Sequence, residues 1–150
     1  MSEDPISPPS EKPRVLFACI GNTCRSVMAE FIARKKLGDV LEVSSAGLSP
    51  QAPQDAENAI HTLKVVFDID ASGHEPRDVR SVNIESFDIV VAMDGRVARR
   101  IKEVFPAYPV ERLVIWRIDD PYGDDLADYQ RCAQAISVHL KKLPVRLGNP

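Results

Sequence analysis

Apolar residues recur along the chain with two periods, one typical of buried strands and one typical of amphipathic helices. Short apolar or β-branched runs predict four strands, at about residues 14–19, 40–44, 87–93 and 112–116. Apolar residues at helical spacing predict four longer helices, at about residues 26–37, 54–66, 95–104 and 124–143. A loop is expected over about residues 45–53, and a short helical turn near residues 82–86.

Because strands and helices alternate, right-handed crossovers should join parallel strands. The predicted fold class is α/β: a single domain with a four-stranded parallel sheet in the order 2-1-3-4 and helices on both faces. This domain is expected over residues 14–150. Residues 1–13 combine four prolines with Ser and Glu and are predicted to be a disordered tail. A ligand should bind beyond the C-terminal ends of the strands.

The composition narrows the classes of partner and of compartment. Of the 150 residues, 44% are hydrophobic and 27% are charged, which is ordinary for a globular protein. The formal net charge of −3 gives no general affinity for nucleic acid. No apolar run reaches membrane-spanning length, and the N-terminus does not resemble an export signal. Because no apolar run could span a bilayer, we expect no membrane partner. Because the three cysteines are an odd number in a chain without an export signal, we expect free thiols and a cytoplasmic location.

The candidate chemistry lies where the first predicted strand meets the first predicted helix. The apolar run at residues 15–18 ends in Cys19, and Arg25 and Ser26 follow at the start of the helix. A strand, a tight loop and a helix N-terminus gather backbone N–H groups around one point, which suits phosphate. Cys-x5-Arg alone is a weak signal, so the strand before it and the helix after it carry the prediction.

The residues of this loop have expected roles. Cys19 lies under the bound phosphorus, where the same field favours thiolate over thiol and makes it a nucleophile. Arg25 can bind two phosphate oxygens with its planar guanidinium. Gly21 and Asn22 tolerate the positive φ that such a loop usually requires.

The segment from Val15 to Ser26 closely resembles the active-site loop of low-molecular-weight protein tyrosine phosphatases; it contains Cys19-Ile20-Gly21-Asn22-Thr23-Cys24-Arg25-Ser26. A second family motif, Asp-Pro-Tyr, is present as Asp120-Pro121-Tyr122. The resemblance covers about residues 13–143. It implies a phosphatase I-like fold and hydrolysis of phosphate monoesters, above all protein phosphotyrosine, through a phosphocysteine on Cys19.

The resemblance also assigns roles outside the cysteine and the arginine. Asp120 is implied as the general acid that protonates the leaving group and then activates water, with Asp119 as the competing candidate. Ser26 is expected to donate to the thiolate as well as to cap the helix. The residues implied to bind the substrate are Ile20, Gly21, Asn22, Thr23, Cys24, Ser26 and Tyr122, and those implied to support the loop through hydrogen bonds are Asn22, Ser45 and His74.

No metal and no organic cofactor is implied. The expected partners are a phosphotyrosine protein or a small phosphoester as substrate and phosphate as product or inhibitor, with the chain a monomer or weak dimer.

Cys24 leaves three interpretations open: metal binding with Cys19, for which further ligands are missing, a reversible disulfide with Cys19, which the resemblance supports, or simple packing. Cys132 is predicted to lie in the core.

Three features depart from the family pattern. Val27 stands where the family usually has proline, and Thr23 replaces a usually aliphatic residue. Residues 48–52 contain no aromatic side chain to face Tyr122. The missing aromatic side chain and Val27 leave open a non-catalytic phosphate-binding module. A thiol-dependent arsenate reductase, which shares the cradle and the fold, also stays open; it needs two further cysteines, and because this chain has none between Cys24 and Cys132 it would have to use an external thiol.

Overall fold

The computed structural model describes residues 12–121 and 125–143, in which helices cover a parallel sheet. Its strands are β1 (Arg14–Cys19), β2 (Glu42–Gly47), β3 (Ile89–Ala92) and β4 (Leu113–Ile115). Its α-helices are α1 (Arg25–Leu37), α2 (Glu57–Phe67), α3 (Gly95–Val104) and α4 (Leu126–Leu140). Short 3₁₀ turns occupy Pro53–Ala56, Val79–Ser81, Ile84–Ser86 and Val110–Arg112.

The sheet has the order β2-β1-β3-β4 with every strand pair parallel, which confirms the predicted fold class and strand order. Val15 of β1 pairs with Val43 of β2 on one side and with Ile89 of β3 on the other, so β1 lies inside the sheet. Parallel strands end at the same edge. Cys19 is the last residue of β1 and lies at that edge.

Two apolar cores lie on opposite faces of the sheet because successive strand residues point to opposite sides. Phe17 belongs to the core under α1, α2 and α4, where its ring packs 5.7 Å from that of Trp116. Leu16 belongs to the core under α3, together with Ile101. Phe17 and Leu16 are both fully buried, so packing on both faces fixes the position of β1 and of the cysteine at its end.

The second strand lies further along the chain than predicted. The N–H groups of Val40 and Leu41 both donate to the carbonyl of Leu37, so these two residues bond back to α1 and not to the sheet. Residues 45–47, predicted as loop, pair instead with residues 17–19 of β1. Their Ser-Ala-Gly composition is typical of loops, but small side chains fit here because this part of the strand is buried.

The third and fourth strands are shorter than predicted, because the residues before them close 3₁₀ turns. The N–H of Phe87 donates to the carbonyl of Ile84, and the N–H of Arg112 donates to that of Pro109. The first of these turns overlaps the short helical turn predicted near residues 82–86.

The helices agree with the prediction to within a few residues. The bounds of α3 are those predicted, because Asp94 caps it: Oδ1 accepts the N–H of Val97 at 2.9 Å. Helix α1 begins one residue early at Arg25, and Gly38 follows it with a right-handed φ of −62°. Helix α2 is preceded by a 3₁₀ turn, and α4 is shorter than predicted. No helix in the described part of the chain is long and apolar enough to cross a bilayer.

Most of the predicted N-terminal tail lies outside the described residues. Its last two residues contact the domain: Nζ of Lys12 donates to the carbonyl of Gly38 at 3.1 Å, and the carbonyl of Pro13 accepts the N–H of Glu42 at 2.9 Å. Contacts with the sheet therefore begin shortly before β1.

Candidate active site

The loop between β1 and α1 forms a cradle whose backbone carbonyls point outward. The carbonyls of residues 19, 20 and 21 accept the N–H groups of residues 48, 49 and 51 at 3.1, 2.8 and 3.0 Å. The carbonyl of Asn22 accepts Nε2–H of His74 at 2.8 Å, and the φ of Asn22 is 57°, in the left-handed region. Because a trans peptide directs its N–H opposite its carbonyl, the loop N–H groups face the inside of the cradle, an arrangement typical of anion sites.

Gly47 at the end of β2 lets the cradle approach the sheet. A Cβ at this position would lie 2.6 Å from the carbonyl oxygen of Ile20 and 2.9 Å from the nitrogen of Asn22. Only a residue without a side chain therefore leaves the cradle its shape here.

A series of buried polar side chains connects Glu30 on α1 to the sulfur of Cys19. Oγ of Ser45 donates to Oε1 of Glu30 at 2.6 Å and accepts Nδ2 of Asn22 at 2.9 Å. Nδ2 of Asn22 also donates to Oγ of Ser26 at 2.9 Å. Oγ of Ser26 in turn lies 2.9 Å from Sγ of Cys19.

Two hydrogen-bond donors of this series face the sulfur of Cys19. The two Nδ2 hydrogens of Asn22 go to Ser45 and Ser26, and Ser26 therefore has its own hydrogen free to donate to Cys19. The backbone N–H of Asn22 also donates to Sγ, at 3.3 Å. The sulfur of Cys19 thus accepts two hydrogen bonds, and such bonds are stronger when the acceptor is an anion.

Glu30 was not among the residues that the sequence pointed to. It is 5% exposed, and its carboxylate forms an ion pair with Arg34, one helical turn later, whose NH2 also donates to the carbonyl of Val43 at 3.2 Å. A buried carboxylate needs such a partner. The signal available in the sequence was a charged residue within an otherwise small and apolar stretch of α1, four residues before an arginine.

His74 and Arg77 donate hydrogen bonds to two members of this network, Asn22 and Ser45. The backbone N–H of Arg77 donates to Oδ1 of Asn22 at 3.0 Å, and its Nε donates to the carbonyl of Ser45 at 3.0 Å. His74 donates to the backbone of the same asparagine, as described above. The structure therefore brings together Asn22, Ser45 and His74, the predicted supporting residues.

Arg25 is fixed by two acceptors on one of its nitrogens. NH1 donates to Oδ2 of Asp94 at 2.8 Å and to the carbonyl of Ile118 at 2.9 Å. Burial opposes the charge of Arg25, but the hydrogen bond to Asp94 and the nearby Cys19 and Asp120 outweigh it and raise the pKa of Arg25 above its usual value. Arg25 thus stays charged, with its other N–H groups available to a phosphate.

Asp94 has a second role that its sequence position did not reveal. Besides capping α3, it binds Arg25, 69 residues away in the chain. Partial burial acts to raise its pKa, but the hydrogen bonds from Arg25 and from the N–H of Val97 outweigh burial and hold the pKa of Asp94 below its usual range. The signal available in the sequence was an aspartate two residues after β3, at the same sheet edge as Cys19.

A cavity of about 120 Å³ opens at the C-terminal edge of the sheet, lined by Cys19, Ile20, Gly21, Thr23, Cys24, Arg25, Gln51 and Asp120. Oδ2 of Asp120 lies 3.9 Å from NH2 of Arg25, which brings the predicted acid to the predicted phosphate ligand. Asn22 and Ser26 are fully buried and lie behind the sulfur, not on the cavity wall. Tyr122, the predicted aromatic wall, lies outside the described residues.

One wall of the cavity is polar. Oγ1 of Thr23 donates to Oε1 of Gln51 at 2.7 Å, and both residues line the cavity. The sequence did not point to Gln51 as a site residue, although it lies in residues 48–52, the segment that lacks an aromatic side chain. The described residues that line the cavity include no aromatic one.

The three cysteines are free and buried. Burial raises the pKa of Cys24 to about 11 and that of Cys132, which packs in the core as predicted, to about 12. The described residues contain no group of three His, Cys, Asp or Glu side chains placed to hold a metal ion. Cys24 lines the same cavity as Cys19, which keeps the disulfide interpretation open.

Comparisons with known proteins agree with this geometry. Residues 14–149 match the low-molecular-weight phosphotyrosine protein phosphatase family. Arsenate reductase 1 of Bacillus cereus is 34% identical over 132 residues, which cover 87% of this chain and 93% of that protein.

Two solved structures extend the likeness to the fold. A low-molecular-weight protein tyrosine phosphatase from T. tengcongensis has a TM-score of 0.77 at 32% identity and covers 88% of this chain and 100% of its own. The YwlE arginine phosphatase from Geobacillus stearothermophilus has a TM-score of 0.78 at 28% identity and covers 87% and 90%. Since the family match spans nearly the whole chain, the protein belongs to the low-molecular-weight phosphotyrosine protein phosphatase family.

Proposed function

We propose that the protein hydrolyses phosphate monoesters through a phosphocysteine on Cys19. The observation that carries the proposal is the hydrogen bonding of the sulfur: Ser26 and the N–H of Asn22 hold it at one end of a cavity that Arg25 and Asp120 also line. A nucleophile, a fixed cation and a carboxylate around one small cavity are the groups that phosphoryl transfer requires.

In the first step the Cys19 thiolate attacks phosphorus, and the bond from phosphorus to the leaving oxygen breaks. Arg25 and the inward N–H groups of the cradle bind the equatorial oxygens, on which charge develops. Asp120 protonates the leaving oxygen. Asp94 and the carbonyl of Ile118 keep the guanidinium in place during this step.

In the second step water attacks the phosphocysteine. Asp120, now a carboxylate, accepts a proton from the water, and Cys19 leaves as a thiolate that accepts the hydrogen bond of Ser26. Phosphate is the product and, because it fits the same cradle, is expected to inhibit.

For the substrate we propose a phosphorylated protein side chain, with phosphotyrosine first, in keeping with the family. The cavity has room for the phosphoryl group, while the rest of the substrate would rest on the rim, where Ile20 is 36% exposed. The polar pair of Thr23 and Gln51 and the likeness to an arginine phosphatase make phosphoarginine the second substrate to assay.

Arsenate reduction is a second candidate function. It is favoured by the arsenate reductase of Bacillus cereus among the relatives and by Cys24, which lines the cavity beside Cys19. Reduction of As(V) to As(III) takes two electrons, which this pair of thiols would supply by forming a disulfide. The raised pKa of Cys24 makes it a slow second thiol and weighs against this function.

The test compares wild type, Cys19→Ser, Asp120→Asn and, as a matched control, Asp119→Asn. Hydrolysis of para-nitrophenyl phosphate, a phosphotyrosine peptide and a phosphoarginine peptide is measured against pH, and arsenate reduction is measured with a thiol reductant. We expect phosphatase activity that is lost in Cys19→Ser, falls about 100-fold or more in Asp120→Asn and is nearly unchanged in Asp119→Asn. Phosphate binding without turnover would replace the proposal with the binding module, and arsenate turnover alone would replace it with the reductase.

A further inference from the structure

The outer face of α3 carries three arginines close to the candidate active site. Arg96, Arg99 and Arg100 are all exposed. The buried residues of the same helix are Val97, Ala98 and Ile101. Because residues three and four apart are neighbours on a helix surface, the three guanidinium groups lie side by side on the face that points away from the core.

These charges have little compensation within the protein. Nε of Arg100 lies 3.4 Å from Oε1 of Glu103, but in residues 12–121 and 125–143 no carboxylate forms an ion pair with Arg96 or Arg99. Asp94, the acidic residue at the start of the helix, is bound to Arg25. The face therefore keeps a positive charge on a chain whose formal net charge is −3.

The arrangement is unfavourable for the helix itself. Arginines three and four residues apart repel one another, and a cation in the first turn lies at the positive end of the helix dipole. Helix α3 has no acidic residue in its first turn, whereas α2 has Glu57 and α4 has Asp128. A charge pattern that local physics disfavours is expected where a ligand from outside the chain compensates it.

The arginine face begins beside the phosphate site. Oδ2 of Asp94 lies 2.8 Å from NH1 of Arg25, and Arg96 follows Asp94 two residues later. At about 1.5 Å per residue, positions 96 to 100 span about 6 Å along the helix. An extended polypeptide covers about 3.3 Å per residue. A substrate chain whose phosphorylated side chain lies in the cavity therefore reaches this face within a few residues.

We propose that Arg96, Arg99 and Arg100 form a docking face for an acidic segment of the phosphorylated protein substrate. The proposal rests on the proposed function and deepens it, because it names the substrate class: proteins with Asp or Glu a few positions from the phosphorylated residue. The planar guanidinium groups bind carboxylates through paired N–H donors.

The face fits a protein better than other polyanions. Nucleic-acid binding typically takes about 6–10 phosphate contacts, and membrane-surface clusters about 4–8 Lys or Arg with an apolar anchor. The exposed residues of α3 are all charged, so the face has no such anchor. Across the sheet, α4 begins with Asp125 and Asp128, which repel an acidic segment and direct it to the α3 side.

The test measures hydrolysis of phosphotyrosine peptides that differ only in the residues flanking the phosphotyrosine: Glu and Asp, their amides Gln and Asn, or Lys. Para-nitrophenyl phosphate, which has no flanks, reports on the cavity alone. The variant is Arg96→Gln/Arg99→Gln. The matched control is Lys141→Gln/Lys142→Gln, which removes the same two charges from exposed positions at the far end of the 15-residue α4, about 22 Å from its start.

At about 50 mM salt we expect wild type to hydrolyse the acidic peptide with a kcat/KM about 5- to 20-fold above that of the amide peptide, mainly through KM. This preference should fall at about 0.5 M salt. It should shrink to less than about 2-fold in Arg96→Gln/Arg99→Gln, with unchanged hydrolysis of para-nitrophenyl phosphate, and persist in the lysine control. Arg96→Glu/Arg99→Glu should prefer the Lys peptide, a reversal that a purely structural role would not produce.

Three results would overturn the proposal: equal kcat/KM for the acidic and amide peptides in wild type, a preference that survives in Arg96→Gln/Arg99→Gln, or an equal loss in the lysine control. Binding of single-stranded RNA or of phosphatidylserine vesicles that depends on Arg96 and Arg99, without discrimination among the peptides, would replace the acidic protein with that polyanion.

Failure of the proposed function gives a different result. A wild type that hydrolyses para-nitrophenyl phosphate without preferring the acidic peptide overturns the docking face alone. Fluorescence anisotropy of the same labelled peptides covers the other case. A wild type without turnover that still binds the acidic phosphopeptide more tightly than the amide one, and loses this in Arg96→Gln/Arg99→Gln, overturns the proposed hydrolysis and keeps the docking face.

Discussion

Asp94→Asn tests whether the position of Arg25, and not merely its presence, sets activity. The substitution keeps an oxygen that can accept the N–H of Val97 and cap α3, but it removes the carboxylate charge from the 2.8 Å hydrogen bond to Arg25. The guanidinium keeps its second acceptor, the carbonyl of Ile118 at 2.9 Å. The effect should therefore be partial.

The magnitude follows from the exposure of the two partners. A hydrogen bond to a charged group contributes about 1.5–3 kcal/mol. The Arg25 side chain is 3% exposed but that of Asp94 is 37% exposed, so solvent weakens the pair and we take about 1–1.5 kcal/mol. At about 1.4 kcal/mol per tenfold, kcat/KM should fall about 5- to 15-fold.

The assay is steady-state hydrolysis of para-nitrophenyl phosphate together with the inhibition constant of phosphate, which reports on ground-state binding. Asp125→Asn is the matched control, since Asp125 caps α4 through the N–H of Asp128 at 3.0 Å. We expect Asp94→Asn to weaken turnover while Asp125→Asn leaves it unchanged. Unchanged kcat/KM in Asp94→Asn, with the variant folded, would refute the reasoning that this carboxylate positions Arg25.

Three further predictions concern the shape of the cradle, the buried polar network behind it and the stability of the protein at acidic pH. Gly47→Ala should lower kcat/KM about 100-fold or more and destabilise the protein by about 1–3 kcal/mol, because its Cβ would collide with the carbonyl of Ile20. Gly73→Ala is the control, since a Cβ there meets nothing within 4 Å, and it should change neither quantity. Equal activities of the two variants would contradict the prediction. Ser45→Ala should lower the free energy of unfolding in urea by about 1–3 kcal/mol and reduce kcat more than it changes KM, because Glu30 and Asn22 each lose a hydrogen-bond partner. Ser44→Ala on the same strand is the control, and an equal loss of stability there would contradict the role of the network. Because the pKa of Asp94 is lowered in the folded protein, its ionisation stabilises the fold above about pH 4, and this contribution is lost as the pH falls through the lowered pKa. In denaturation curves, wild type should therefore lose more stability than Asp94→Asn between about pH 5 and 2. Equal losses in the two proteins would contradict the lowered pKa of Asp94.

The fold and the cradle were accessible from the sequence because their signals are local. The apolar run of β1, the loop and the start of α1 are contiguous, so their order alone predicted a cradle with Cys19 and Arg25 at its two ends. Strand order followed from the alternation of strands and helices and from the resemblance. Where local signals conflicted with long-range pairing, as at residues 45–47, the prediction was wrong.

The rest of the site depends on residues brought together from distant parts of the chain. The contact of Asp94 with Arg25 exists only after β1 and β3 are paired. The contact of Glu30 with Ser45 exists only after α1 packs against β2. Gln51 became a wall residue only through the contacts of residues 48–51 with the cradle. Such contacts leave no periodic signal in a single sequence.

The central claim is tested most directly by trapping the covalent intermediate. Asp120→Asn is mixed with para-nitrophenyl phosphate, whose leaving group needs little protonation, and the quenched protein is digested and its peptides analysed by mass spectrometry. We predict one phosphoryl group on Cys19, accumulating because the variant lacks the base that activates water, and none in Cys19→Ala. Turnover without an adduct on Cys19, or an adduct on another residue, would contradict the assignment of this cysteine as the nucleophile.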